Sequence, residues 1–489
     1  MQKSAEGIVA SWNEPGVVAD GGSVRRMDWR SHLERRPERL TEQSESECVV
    51  RKPSALAGLP SYRRGERVDA EGSADCSSEK LLMERIVESA NMNAAYRKVK
   101  ANKGVAGVDR MSVEELADFI KSHWPGIRDR LLDGSYRPEP VLRVELPKPD
   151  GGTRLLGIPT VLDRLIQQAI LQVLQEDHDK SFSESSFGFR PGRSARQAIR
   201  KARDYVKEGR RWVVDLDLEK FFDKVNHDLL MSEVGKIVSD PRLLKLIRGY
   251  LKAGVMVGSK SLPTARGTPQ GGPLSPFLAN VLLDRFDKEM ERRGHAFVRY
   301  ADDCNIYVTT RRSANRVLAS VTRFLERKLK LLVNKSKSAA DRPWRRTFLG
   351  FTISVWNRIR VSERSWRRFK FRVRALTRRN SGWSIERVLS ELNVFVRGWK
   401  GYYDVADSRD PFVECERWIR RKLRCYQLKQ WGKSGYRNLR RLGVDRRIAW
   451  ITSKSPHGPW RLSRTPGVNW ALNNDYWRGK GLISLSALT

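Results

Sequence analysis

The chain has 489 residues, 39% of them hydrophobic, with 94 Lys and Arg against 57 Asp and Glu and a formal net charge of +37. That balance points to a polyanionic partner, and the apolar fraction can fill cores in roughly three domains, which excludes a wholly disordered chain. No run of about 18 apolar residues occurs and the N-terminus has no apolar segment behind a basic start, so membrane insertion and secretion are disfavoured. Residues 1–80 are polar, rich in Ser, Glu and Arg, and lack apolar periodicity, which predicts a flexible extension. From Leu81 the stretch LLMERIVESANMNAAYRKVK predicts a helix, broken by the Gly-rich segment from Lys103 to Asp109. A new helix is predicted from Ser112, with Glu115 completing a capping box. Strand-like runs follow at 141–146, 211–218, 297–300 and 305–308 with helical stretches between them, giving an α+β or mixed α/β body over residues 81–350. Beyond residue 350 the pattern turns mainly helical. Residues 341–489 hold about 34 Lys and Arg against about 11 Asp and Glu, and about 11 of the 15 Trp, so the charge is concentrated there.

Two acidic segments stand out. In Phe297-Val-Arg-Tyr300-Ala301-Asp302-Asp303-Cys-Asn-Ile-Tyr-Val308, two strand-like runs flank adjacent carboxylates, which predicts a hairpin tip. Neighbouring acids repel, and a divalent cation removes that cost. Taken alone, the pair is also what an ordinary acidic turn looks like. The second segment, Arg211-Trp-Val-Val-Asp215-Leu-Asp217-Leu218, puts Asp215 and Asp217 on one strand face and Trp212, Val214, Leu216 and Leu218 on the other. Were this strand to lie beside the hairpin, carboxylates would converge as a two-metal phosphoryl-transfer site requires, with ions about 3.5–4 Å apart. Hard oxygen donors select Mg²⁺, and no His or Cys cluster competes. The cysteines Cys48, Cys76, Cys304, Cys415 and Cys425 form no C-x-x-C pair and read as reduced thiols of a cytoplasmic protein.

Tyr300-Ala301-Asp302-Asp303 resembles the Y-x-D-D box of reverse transcriptases, and Asp217 with Phe222-Asp223 resembles their first catalytic strand. The resemblance runs in order through most of residues 100–485. Lys103 to Asp109 resembles the block before the fingers, and Tyr136-Arg137-Pro138 through Pro159 the fingers themselves. Ser186 to Ser194 and Arg266-Gly-Thr-Pro269-Gln270-Gly271-Gly272-Pro273 resemble the next two motifs, and Asn334-Lys-Ser-Lys337 and Phe348-Leu349-Gly350-Phe351 the last palm blocks. The family resembled is that of the group II intron reverse transcriptases and maturases. It implies an α+β right-hand polymerase, with fingers and an antiparallel palm sheet over 81–350 and a mainly helical thumb and maturase domain with a basic tail over 351–489.

By that resemblance Asp217, Asp302 and Asp303 with the Leu218 carbonyl hold two Mg²⁺ ions, and Lys337 is the general acid for pyrophosphate. Asp215 and Lys335 remain competing choices on chemistry alone. Lys148 and Arg154, flanking the turn Pro149-Asp150-Gly151-Gly152, would clamp the dNTP triphosphate. Phe222 would exclude a 2′-hydroxyl, and Gln270 would line the nucleotide site in a Gly/Pro-rich turn before a helix with Ser275 as N-cap and Pro276 at N1. His227 reads as structural. Aromatics interleaved with basic residues nominate Arg367, Arg368, Arg397, Lys400, Arg420, Arg421 and Arg424 for phosphate contacts plus base stacking on RNA.

The implied function is RNA-directed DNA synthesis together with binding of group II intron RNA, splicing assistance, reverse splicing into DNA and copying of the inserted RNA. The implied partners are that RNA, target DNA, a primer strand and dNTPs, in a bacterial cytoplasm with no membrane. No paired Cys/His cluster follows residue 350, where His457 is the sole histidine, so the expected type lacks an endonuclease and borrows its primer. A maturase with a silent polymerase, or a reverse transcriptase serving diversification or defence, are the alternative readings.

Overall fold

The structure is a computed structural model that describes residues 82–147, 153–257, 260–264 and 266–487. The predicted N-terminal extension therefore lies outside the described residues, as do Cys48 and Cys76. The first predicted helix is two, α1 (Leu82–Val87) and α2 (Ser89–Asn102), which meet at an extended Glu88. An unbroken helix would carry the buried Met83/Ile86 stripe on to residue 90, whereas α2 buries Met92, Ala95 and Val99. The break brings two out-of-phase apolar faces to one core. The capping box is present, with Glu115 Oε2 accepting from the Ser112 N–H at 2.7 Å and Ser112 Oγ from the Glu115 N–H at 3.3 Å. Residues 113–115 form a turn, and α3 (Leu116–Leu132) starts later than predicted.

The first hairpin is β1 (Val141–Pro147) and β2 (Thr153–Ile158), antiparallel with Leu146 opposite Arg154. Thr160 caps α4 (Val161–His178), and the buried Asp163 in its first turn accepts from Tyr136 Oη at 2.9 Å, Thr160 Oγ1 at 2.9 Å and the Glu139 N–H at 3.2 Å. Burial pushes the Asp163 carboxyl up to about 6. Between about pH 4 and that value the unfolded chain has released the proton that the folded chain retains. This group's contribution to stability is therefore complete below the window and falls by roughly 3 kcal/mol as pH rises through it. The difference in unfolding free energy between the native chain and an Asp163→Asn variant should narrow from about pH 4 to about pH 6. A gap that widens in chemical denaturation would reverse this sign.

There follow α5 (Ala195–Lys207), β3 (Trp212–Leu216), α6 (Phe221–Lys224), α7 (His227–Val234), α8 (Pro241–Lys252), β4 (Val255–Val257), β5 (Lys260–Leu262), α9 (Ser275–Arg292), β6 (Ala296–Tyr300), β7 (Asp303–Val308), α10 (Arg311–Lys328) and β8 (Ala339–Asp341). One sheet runs β2-β1-β4-β5; the other, β6-β7-β3-β8, is antiparallel throughout. Val214 and Leu216 of β3 face a core shared with Phe277, Val281, Leu282, Phe286 and Met290 of α9. Val213 of the same strand faces a second core with Val298 and Tyr307. The two-residue period of the strand thus serves two helical layers at once.

The hairpin β9 (Phe351–Ile353) and β10 (Ile359–Val361) leads into α11 (Glu363–Leu376), α12 (Ile385–Tyr403), α13 (Asp410–Trp431), α14 (Gly435–Arg441) and α15 (Arg446–Lys454). Three short helices close the chain, α16 (Pro459–Leu462), α17 (Pro466–Ala471) and α18 (Asn474–Gly479). Phe369, Trp399, Phe412 and Trp477 from these helices belong to the core that Val213 and Tyr307 enter from the sheet. The C-terminal helices therefore share one apolar core with the back of the acidic sheet, where α5 lies against β6 and β7. The architecture is the expected α+β right-hand polymerase arrangement with a helical C-terminal part. No described helix is long and apolar enough to cross a membrane.

Candidate active site and nucleic-acid interface

The tip of the β6–β7 hairpin is tight: Tyr300 pairs with Asp303, leaving Ala301 and Asp302 as the turn. Ala301 has φ +57°, a left-handed conformation that costs a residue with a Cβ about 1–2 kcal/mol. Surrounding contacts hold it there. Arg299 Nη1 donates to the Ala301 carbonyl at 3.0 Å and to Asn280 Oδ1 at 2.9 Å, and Nη2 donates to Ser186 Oγ at 2.7 Å. The guanidinium also pairs with Asp287 at 2.5 Å, both side chains being almost fully buried. Ser186 to Gly188 run against the same strand, the Phe187 N–H donating to the Arg299 carbonyl at 2.9 Å. A Cβ at Gly188 would collide with the Ala301 amide nitrogen, so only glycine lets this segment seat beneath the tip.

Sequence reasoning missed Arg299, Asn280 and Asp287. The signal was available: residues 280, 284 and 287 fall in the apolar phase set by Phe277, and Arg299 sits in a strand of otherwise apolar and aromatic residues.

The register of β3 on β7 ends at Leu216 opposite Cys304, and one further step sets Asp217 level with Asp303. Beyond β3, the Asn334 N–H donates to the Asp217 carbonyl at 2.9 Å and the Glu219 N–H to the Leu332 carbonyl at 2.8 Å. In an antiparallel pair this pattern turns the carbonyl of the intervening Leu218 away from residue 333 and toward the β7 side. Asp217 is half-buried, and Lys337 Nζ lies 3.5 Å from its carboxylate. Lys335 stands exposed.

Asp215 lies two pairs deeper than Asp217, opposite Asn305. Arg346 holds it, with Nη2 at 2.6 Å and Nε at 2.8 Å. Burial keeps its carboxyl above the ordinary range despite that guanidinium. The geometry thus separates two residues that alternation alone left equivalent: Asp215 is committed to Arg346, while Asp217 sits at the open end of the sheet with Asp303. Asp302 is half-buried and Asp303 exposed. The donors are all hard oxygens and fit a divalent cation. Among the described residues, however, no three ligating side chains are gathered about one point.

Phe222 follows on α6, half-buried and edge-on to Phe221 at 5.1 Å. The loop carrying Gln270 is fastened to it. The Thr268 N–H donates to the Phe222 carbonyl at 2.7 Å and the Gly267 N–H to the Val225 carbonyl at 2.8 Å. His227 Nε2 lies 2.6 Å from the Gly267 carbonyl, consistent with the structural role expected of it. At its other end the loop meets β2, where the Gln270 carbonyl accepts from the Gly157 N–H at 2.8 Å. Ser275 is not the N-cap of α9 but its first residue; Leu274 precedes the helix, and Ser275 Oγ donates back to the Pro269 carbonyl at 2.8 Å. The hydroxyl therefore fastens the loop instead of capping the helix. Lys148 and the side chain of Arg154 lie outside the described residues.

Of the basic residues nominated for RNA, Arg367, Arg368 and Arg397 are exposed, Arg367 beside Glu363 at 2.8 Å. Lys400 is buried and so is absent from the outer face, the α12 helix turning that position inward beside Trp399. Arg420 pairs with Glu416 at 2.5 Å, Arg421 stacks on Trp460, and Arg424 is half-buried. The indoles divide as well: Trp399 and Trp477 are core, whereas Trp356 is 78% and Trp470 58% exposed.

Residues 146–353 match the reverse transcriptase (RNA-dependent DNA polymerase) family, and residues 366–443 match the maturase-specific domain of group II introns. The chain is 36% identical over 218 residues to Protein YkfC of Escherichia coli, covering 43% of this chain and 57% of that protein. It is 36% identical over 196 residues to the group II intron-encoded protein LtrA of Lactococcus lactis, covering 40% of this chain and 32% of that protein. To the putative COX1/OXI3 intron 1 protein of Saccharomyces cerevisiae it is 29% identical over 251 residues, covering 47% of this chain and 30% of that protein. The chain thus spans 57% of the first of these relatives and about a third of the other two. In one polypeptide the chain thus carries a reverse transcriptase domain followed by a group II intron maturase-specific domain, and it is similar to group II intron-encoded proteins.

Proposed function

We propose that the chain is an RNA-directed DNA polymerase that also binds group II intron RNA, assists its splicing and reverse splicing into DNA, and copies the inserted RNA into cDNA. The observation that carries this reading is the alignment of Asp217 with Asp303 at the open end of one sheet, behind a turn held by Arg299. Asp217, Asp302, Asp303 and the Leu218 carbonyl would hold two Mg²⁺ ions, which when bound activate a primer 3′-hydroxyl and neutralise the leaving pyrophosphate. Lys337 is within reach of that end of the sheet to give a proton to the pyrophosphate. Lys148 and Arg154 would bind the triphosphate of an incoming dNTP.

Phe222 would pack under the sugar, and Gln270 would line the opposite wall through a loop tied both to Phe222 and to the fingers. A primer strand and target DNA complete the substrates. The exposed Arg367, Arg368 and Arg397, with Arg420, Arg421 and Arg424, would meet the RNA. The cysteine pattern agrees with work in a reducing cytoplasm.

Primer extension on an RNA template with Mg²⁺ tests this reading: cDNA should accumulate with the intact chain, and a chain that extends no primer removes the polymerase role. In the same assay Phe222→Ala should raise ribonucleotide incorporation by about tenfold or more, because a pocket that sheds one aromatic ring loses roughly 1–3 kcal/mol of discrimination. An unchanged preference for dNTPs would return Phe222 to core packing.

A further inference from the structure

Where α13 faces α11, basic side chains gather in excess of acids. Arg374 lies over the Trp418 ring at 5.6 Å, Lys422 Nζ lies 5.8 Å from the same ring and 5.0 Å from that of Trp460, and Arg421 stacks on Trp460 at 3.7 Å. The result is a ladder of alternating cations and indoles. Arg379 reaches the Cys425 thiol beside them, and Arg424 points a buried Nε that has no hydrogen-bond partner. The strongest charges acting on Lys422, apart from that thiol, are Arg374, Arg379 and Arg421, and those acting on Arg424 are Arg420 and Arg421. Burial, reinforced by these like charges, draws the Lys422 ammonium down and brings Arg424 to about 10. The nearby carboxylate, Glu416, is already used by Arg420, Ser484 and Ser486.

Like charges held this close repel, and a buried guanidinium N–H without an acceptor is costly. Cation–π contacts offset part of that cost but do not neutralise it. A phosphodiester does neutralise it, and it supplies the missing acceptor. The rings bear on what the ligand presents. An indole face occupied by a guanidinium or an ammonium is closed to a nucleobase, so Trp418 and Trp460 orient cations instead of stacking on bases.

We propose that Arg374, Arg379, Arg421, Lys422 and Arg424 form a phosphate-binding site for the sugar–phosphate backbone of folded RNA, read without base contacts and organised by Trp418 and Trp460. Several cations in so small a space match phosphates brought close together, as where two strands of a folded RNA run side by side. This inference rests on the reading that the chain binds group II intron RNA, and it adds which groups of that RNA are held and by what device.

The test uses the full chain and two probes, a blunt RNA duplex and one of its strands alone, with binding measured across a salt series. Lys422→Met and Arg421→Met should each lower the slope of log affinity against log salt by about 1, equally for both probes, and together by about 2. Removing one cation from a self-repelling cluster should leave the melting temperature unchanged or raised, whereas a merely structural cation would lower it. Trp460→Leu should reproduce the Arg421→Met loss on both probes.

Intact RNA binding with unchanged slopes in the two Met variants would overturn the site while leaving the RNA-binding reading in place. A Trp460→Leu loss confined to the single strand would mean base stacking and would overturn it too. Lowered slopes of the two Met variants on a DNA duplex of the same sequence, with unchanged slopes on both RNA probes, would assign the site to DNA and overturn it. An intact chain that binds neither RNA probe would remove the underlying reading with it.

Discussion

Asp303→Asn, and separately Asp217→Asn, should abolish primer extension while leaving the fold intact. The expected loss is at least about 10²- to 10³-fold, the scale set by removing one group that stabilises developing charge in a pre-organised site. Neither change should destabilise the chain. Asp303 is exposed at the hairpin tip, its strand pairing uses backbone atoms, and the amide matches the carboxylate in size. Asp217 loses only its half-exposed pairing with Lys337, a contact worth about 0–1 kcal/mol. Removing either charge also relieves repulsion between two acids set level on neighbouring strands.

Asp215→Asn is the informative contrast. It strips the charge from a mostly buried carboxylate that Arg346 holds through two nitrogens, so stability should fall while extension is largely retained. Thermal melts paired with extension rates separate the cases. A silent Asp217→Asn beside a dead Asp215→Asn would reverse the assignment.

Arg299→Met should cost about 3–5 kcal/mol of unfolding free energy, because Asp287 would be left charged and buried without its partner. The double variant Arg299→Met/Asp287→Leu should recover most of that loss, since apolar side chains often replace a buried ion pair at little cost. Activity should not return with stability. The Ala301 carbonyl, Asn280 and Ser186 all lose the donor that Arg299 gave them, and the left-handed turn carrying Asp302 and Asp303 loses its clamp. Denaturant midpoints with single-turnover extension rates measure both effects. A double variant as fast as the native chain would reduce the network to packing.

The motif-bearing segments were legible because short-range rules govern them. Alternation along β3 assigned Val214 and Leu216 to one face and Asp215 and Asp217 to the other, and adjacent acids between two strand-like runs implied the hairpin. The capping box of Ser112 and Glu115 formed as read, yet the helix began at Leu116, since cap chemistry marks a helix start only to within a turn. Glu88 was missed because each half of that stretch is a good helix, and only the shared core reveals their phases to be incompatible.

Residue types and their periodicity marked acids at strand-like positions and a basic, Trp-rich C-terminal third, while the class of chemistry came from the resemblance of the motifs to a family. These are local properties, present in the chain before it folds. The choice between Asp215 and Asp217 was of another kind, because both satisfy the same alternation, and what separates them is Arg346, 131 residues away. Lys335 and Lys337 differ in the same manner, by which of them the chain returns to Asp217. The Trp residues of the C-terminal helices were divided among core, cation ladder and open surface only by packing. Long-range partners decide these matters because burial and pairing energies depend on what lies across the fold, and no window of sequence contains that information.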